Sequence, residues 1–243
     1  MDGARSKIEV FDNPETLAAA IADLFVDCAQ TATTERGGFY VALSGGRTPT
    51  RAYELLAQEP RTNAVPWKDV FIYFGDERCV PPDDEQSNYL LAKQSFLDRV
   101  QIPLGNVHRM RGEEQPDQAA AGYQKILIED MGADPRFDLV LLGLGLDGHT
   151  ASLFPGNPLT AETFVEAPYV PKFSAHRITL TPRVINRARR IAVAVEGIEK
   201  AEILASVLDK AADPAIYPIA LVLPTDGELT WLVDRAAASS LQK

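Results

Sequence analysis

His149 stands in the run Gly143 to Leu153, GLGLDGHTASL, two residues after Asp147. An imidazole steered by a carboxylate suits general acid–base chemistry, because the acid fixes which ring nitrogen carries the proton. Gly143, Gly145 and Gly148 let the backbone turn sharply and approach a ligand closely. The apolar run before the turn, Phe137 to Leu142, reads as a buried strand of a parallel sheet. His149 therefore lies just beyond a strand's carboxyl end, where open α/β sheets place their ligand crevices.

Two further turns leave apolar runs in the same way. After Phe39 to Leu43 comes Ser44-Gly45-Gly46-Arg47-Thr48-Pro49. Here Thr48 is expected as N-cap and Pro49 as first helical residue. Outward-facing N–H groups and a positive helix end would then offer a phosphate site. Ser44 and Thr48 add hydroxyls, and Arg47 either adds charge or points to solvent. Gly45 and Gly46 could equally do no more than make a tight strand-to-helix turn. After Val70 to Phe74 comes Gly75-Asp76-Glu77-Arg78. Arg78, oriented by its acidic neighbours, could hold a ligand's phosphate or its hydroxyls bidentately. Asp83-Asp84-Glu85 reads as a solvated loop.

Several other chemistries fit poorly. GxxxxGK[ST] is absent, so the Ser44 turn is no Walker loop, and without GxSxG there is no nucleophile elbow. Ser152 reads as a turn-stabilising hydroxyl and Cys79 as a weak candidate nucleophile. Glycines 143, 145 and 148 fit GxGxxG, but Pro155 and Gly156 interrupt the long helix that a dinucleotide fold requires there. Glu166 falls near the acidic spacing of that fold, yet on a predicted strand beyond several breakers. Cys28 reads as a core residue, and the two cysteines have no metal spacing. His108 and His176 read as surface or structural.

The elements that must position these residues alternate. Strands are predicted at 7–11, 39–43, 70–74, 137–142, 164–170, 177–180, 191–195, 219–223 and 229–233. Helices are predicted at 14–33, opened by Asn13 and Pro14, and at 49–58, 87–100, 115–131, 199–208 and from Asp234 onward. Such alternation predicts an α/β fold, a mainly parallel sheet with helices on both faces. With 243 residues and no linker or repeat, residues 1–243 are expected to form one domain.

A formal net charge of −10 opposes nucleic-acid binding, and no polybasic cluster points to a membrane surface. An anionic substrate would need a few local cations acting against the overall field. The start, MDGARSKIEVF, shows no secretory pattern, so a cytoplasmic address is the expectation; for oligomeric state, on which the sequence is silent, a monomer is the default.

ALSGGRTP (42–49), FGDERCVPPDDEQSNY (74–89), GLGLDGHTASLFPG (143–156) and RITLTPRVINRAR (177–189) together resemble 6-phosphogluconolactonases. The similarity extends to Gly197-Ile198-Glu199-Lys200-Ala201 and to Trp231-Leu232-Val233-Asp234. It implies a Rossmann-like fold of the glucosamine-6-phosphate isomerase type. The implied reaction opens 6-phosphoglucono-δ-lactone to 6-phosphogluconate without metal or cofactor. Lys200 and Arg177 match phosphate-binding positions of related enzymes, and their roles rest on that resemblance. Glucosamine-6-phosphate deaminases share the GxGxDGH turn but continue IAFNEP, with a catalytic glutamate. Here Thr150-Ala151-Ser152-Leu153-Phe154-Pro155 stands instead. A sugar-phosphate sensor would need the phosphate turn without the histidine. The favoured expectation is water activated by His149, with Asp147 orienting the ring and N–H groups of a glycine turn meeting the oxyanion.

Overall fold

The computed structural model describes residues 5–157, 162–209 and 212–241. The apolar runs form the strands β1 (Arg5–Phe11), β2 (Phe39–Leu43), β3 (Val70–Phe74), β5 (Leu139–Gly143), β9 (Arg190–Val195) and β10 (Glu228–Asp234) of one sheet. Its order is β1-β10-β9-β5-β2-β3, and every neighbouring pair is parallel. From β2 the chain steps outward to β3 and later returns on the other side through β5, so the order reverses between β2 and β5. That is where an open α/β sheet leaves a crevice at its carboxyl edge.

Helices cover both faces, as the alternation predicts. On one face α1 (Pro14–Arg36), α2 (Arg47–Leu56) and α4 (Asn88–Ser95) pack against Val41, Leu43, Ile72, Phe74, Leu139 and Leu141. The intervening residues Ala42, Tyr73, Val140 and Leu142 point to the other face, against α5 (Pro116–Met131) and α7 (Ala201–Leu208). Strand period two thus sorts one sheet between two cores. Asn13 caps α1 as expected, exchanging hydrogen bonds with Thr16. Short one-turn helices, α3 (Arg61–Ala64) and α6 (Pro182–Ile185), complete the set.

A second, antiparallel sheet lies outside the sequence expectation. It joins β4 (Asp76–Arg78) and β6 (Val165–Glu166) to β8 (Ala175–Leu180), which also pairs β7 (Tyr169–Val170). The strand expected over 164–170 is thus two separate dipeptides. Strands of two or three residues carry no readable period.

Other expectations are also corrected. The strand predicted at Ile219–Leu223 is a 3-10 helix, Pro218–Leu221. The Ile219 N–H donates to the Gly148 carbonyl at 3.0 Å, and the Asn186 side chain engages Leu221 and Leu223, so no sheet partner is left for it. Helix α2 starts at Arg47 with Gly46 as N-cap, not at Pro49 behind Thr48. The Thr50 hydroxyl and N–H both donate to the Gly46 carbonyl, which pulls the start forward. The helix predicted from Asp234 is only the 3-10 turn Ala237–Ser240, because Asp234 closes β10 and its carboxylate caps Ala237 and Gly197. The helix predicted to run from 87 to 100 ends at Ser95, with a 3-10 turn at Leu97–Arg99.

Candidate active site

At the carboxyl ends of β2, β5 and β9 lies a cavity of about 320 Å³. Ser44, Gly45, Gly46, Arg47, Thr48, Arg78, His149, Arg177 and Lys200 line it, and Asp147 sits behind His149. They arrive from five separate segments of the chain, so the fold brings together residues that are up to 156 positions apart.

The histidine turn is closed on itself. Gly145 N–H donates to the His149 carbonyl at 2.8 Å, and Gly148 N–H to Gly145 at 3.1 Å. These two donors are spent, so an oxyanion would need other N–H groups. A Cβ at Gly145 would lie 1.9 Å from His149 Nδ1, so only glycine lets the imidazole fold back over the turn. The ring stacks on Phe154 with centroids 4.3 Å apart. Asp147 Oδ1 engages Nδ1, which leaves Nε2 as the ring nitrogen without a protein partner among the described residues. Asp147 Oδ2 accepts from Lys172 Nζ at 2.8 Å. Partial burial works against ionisation of Asp147, but the Lys172 and His149 contacts outweigh it and hold the carboxyl well below the usual range.

The Ser44 turn is anchored from below. Buried Tyr53 donates its hydroxyl to the Ser44 carbonyl at 2.8 Å and accepts the Ser44 N–H at 3.1 Å. The N–H groups of Gly46, Arg47 and Thr48 have no protein acceptor among the described residues and lie at the start of α2. A Cβ at Gly45 would come within 1.9 Å of Asn88 Oδ1, so this turn also depends on a missing side chain. Arg47 is 92% exposed and only loosely faces Glu199 at 3.7 Å.

Arg78 and Arg177 sit directly opposite each other across β4 and β8, their side chains on one face. Neither has a carboxylate partner within 4 Å among the described residues; Arg78 donates to the Gln86 carbonyl and Arg177 lies over Phe173. Burial, with the repulsion of Arg78, disfavours the Arg177 charge. An anion between them would relieve that repulsion. Lys200 Nζ donates to the Leu144 carbonyl at 2.8 Å, and burial pushes this ammonium below its usual range.

Asn88 and Thr150 were not singled out from the sequence, and the acidic neighbours expected to orient Arg78 engage other partners. Asp76 accepts from Asn88 at 3.1 Å and from the Ser152 hydroxyl at 2.7 Å, joining the phosphate turn's support to the histidine turn. Asn88 Oδ1 and Thr150 Oγ1 are buried at the cavity wall without a partner among the described residues. Glu77, by contrast, is structural: it accepts from the N–H groups of Arg78, Asn88 and Tyr89 and from the Ser87 hydroxyl, fixing the start of α4. Burial nevertheless raises its carboxyl, since those hydrogen bonds offset only part of the desolvation. The Cys79 thiol is pushed up by burial, which disfavours a thiolate nucleophile. His108 stacks on Tyr73, and His176 engages the Ala167 carbonyl. Among the described residues no group of three or more His, Cys, Asp or Glu could hold a metal ion.

Fold and site define a doubly wound α/β protein with a cation-lined crevice and an Asp–His pair at its switch point. The chain belongs to the family of glucosamine-6-phosphate isomerases and 6-phosphogluconolactonases, whose model matches residues 12–231. It is 40% identical to a 6-phosphogluconolactonase of Synechocystis over 87% of this chain and 88% of the relative. It is 37% identical to that of Nostoc over 98% and 99%. The solved 6-phosphogluconolactonase of Trypanosoma brucei superposes with a TM-score of 0.83 at 27% identity, covering 98% of this chain and 100% of that one.

Proposed function

We propose that this chain hydrolyses 6-phospho-D-glucono-1,5-lactone to 6-phospho-D-gluconate, the second step of the oxidative pentose phosphate pathway. The observation that carries this reading is one crevice holding both an Asp-oriented imidazole and cations with no carboxylate partner. The names of its relatives support the same substrate. The phosphate docks on the free N–H groups of the Ser44–Thr48 turn, with Lys200 and Arg177 as counter-charges and Arg78 at the phosphate or the sugar hydroxyls.

His149 takes a proton through Nε2 from water attacking C1, while Asp147 fixes the tautomer with the proton on Nδ1. Charge developing on the carbonyl oxygen is stabilised by those cations of the cavity that the phosphate does not engage. The imidazolium then returns the proton to the leaving ring oxygen, so one side chain serves both steps. A deaminase would need a carboxylate just after the histidine. Here the corresponding position is Phe154, which is buried and stacks on His149, and nothing acidic stands from Thr150 to Pro155.

The test is hydrolysis of freshly generated phosphorylated lactone, coupled to an NADP-dependent dehydrogenase. The unphosphorylated lactone and glucosamine 6-phosphate serve as comparisons. The expected result is acceleration over the spontaneous rate for the phosphorylated lactone, a much weaker effect without the phosphate, and no ammonia release. Ammonia release, or no acceleration by folded protein, contradicts the reading.

A further inference from the structure

Asp147 has two partners on opposite oxygens, His149 Nδ1 on Oδ1 and Lys172 Nζ on Oδ2 at 2.8 Å. Lys172 comes from the 3-10 turn Pro171–Phe173 between β7 and β8, far from the histidine turn in sequence. The same turn places Phe173 edge-on against Phe154, the ring that supports His149, at 5.5 Å. One short segment thus touches the Asp–His pair directly through a charge, and indirectly through a ring packed on Phe154.

We propose that Lys172 is a positioning residue for the pair. Its ammonium holds the Asp147 carboxylate in the orientation that receives Nδ1–H, and it offsets part of that carboxylate's attraction for an imidazolium. The inference rests on reading His149 as the base. A base must be neutral to accept a proton. A carboxylate shared with a fixed ammonium orients the ring while favouring its charged form less than an unshared one would. Lys172 is largely exposed, so its effect is Coulombic and open to screening by salt.

Other charged and titratable groups surround the imidazole. Arg78 and Asp76 face the cavity from β4 and Arg177 from β8. Lys200 and Glu196 face it from the segment after β9, and Arg47 from the start of α2, with Glu199 beside it. Tyr217 packs against Gly148. All of these are unchanged when Lys172 alone is replaced, so a difference between variants isolates its contribution.

The experiment compares wild type, Lys172→Met and Lys172→Arg. The His149 ring is followed by NMR titration of histidine-labelled protein, assigned with His149→Gln, and the pH profile of kcat/KM is measured beside it. In Lys172→Met at low salt, the NMR midpoint and the acid limb of the profile move up together, by roughly half a unit to one unit for a charge at this range. The shift shrinks in about 1 M salt. KM changes little, and Lys172→Arg behaves like wild type. Coincident titrations of wild type and Lys172→Met at low salt overturn the proposal, as does an arginine variant displaced as far as the methionine one. The NMR arm needs no substrate, so it stands apart from a failure of the lactonase reading, which would appear as an inactive wild type.

Discussion

At the amino ends of the central strands, Arg36 and Arg189 share the buried carboxylate of Asp138 at 3.0 and 3.4 Å, and Arg136 meets Asp226 at 2.8 Å. At the carboxyl ends, Arg78 and Arg177 face each other with no carboxylate within 4 Å among the described residues. Both ends enclose cavities of similar size, about 280 and 320 Å³, so volume does not distinguish them. Charge pairing does. Asp138 also accepts the Tyr40 N–H at 2.9 Å, and Arg36 ends α1, where a cation meets the negative end of the helix dipole. Those guanidinium groups are paired within the protein. The pair at the other end has no such internal partner, which fits the proposal that a substrate phosphate supplies the missing charge.

Asp138 carries the largest expected effect at the amino ends. Replacing it with alanine removes the acceptor shared by Arg36, Arg189 and the Tyr40 N–H, with only Arg36 keeping a second carboxylate, Glu35. The expected loss is about 3 kcal/mol of stability, read by denaturant unfolding, with KM of the folded enzyme unchanged. A variant as stable as wild type would show that the amino-end pairs do not hold the fold. The smaller effect is at Arg177. Arg177→Met is expected to raise KM by roughly tenfold, the loss of one charge-assisted hydrogen bond, with stability equal to or above wild type. Unchanged KM together with lost stability would place Arg177 among the structural charges instead.

What the sequence made legible follows the range of each interaction. Asp147 and His149 are two residues apart, so their pairing could be read locally. The parallel sheet was visible because its strands are continuous apolar runs such as FDLVLL and VFIYF. Lys172 was invisible: it reaches Asp147 across 25 positions from a segment without periodicity. Asn88 carried a local signal, the Ser87 cap, but its closeness to Gly45 is tertiary. Ile219–Leu223 misled because its apolar composition suits a strand. Pro218, Asn186 and the Gly148 carbonyl instead bind it into a 3-10 turn behind the histidine. Arg177 and Lys200 could be placed only by resemblance, since one cation in a strand or turn has no pattern of its own.

The role proposed for His149, the base of a lactone-hydrolysing site, is tested by kcat of His149→Ala beside wild type on freshly prepared 6-phosphogluconolactone. The predicted result is a fall of roughly 10²–10⁴-fold in kcat, the contribution of one general base, with little change in affinity for 6-phosphogluconate as a phosphate-bearing inhibitor. A His149→Ala enzyme that keeps near wild-type kcat would contradict it.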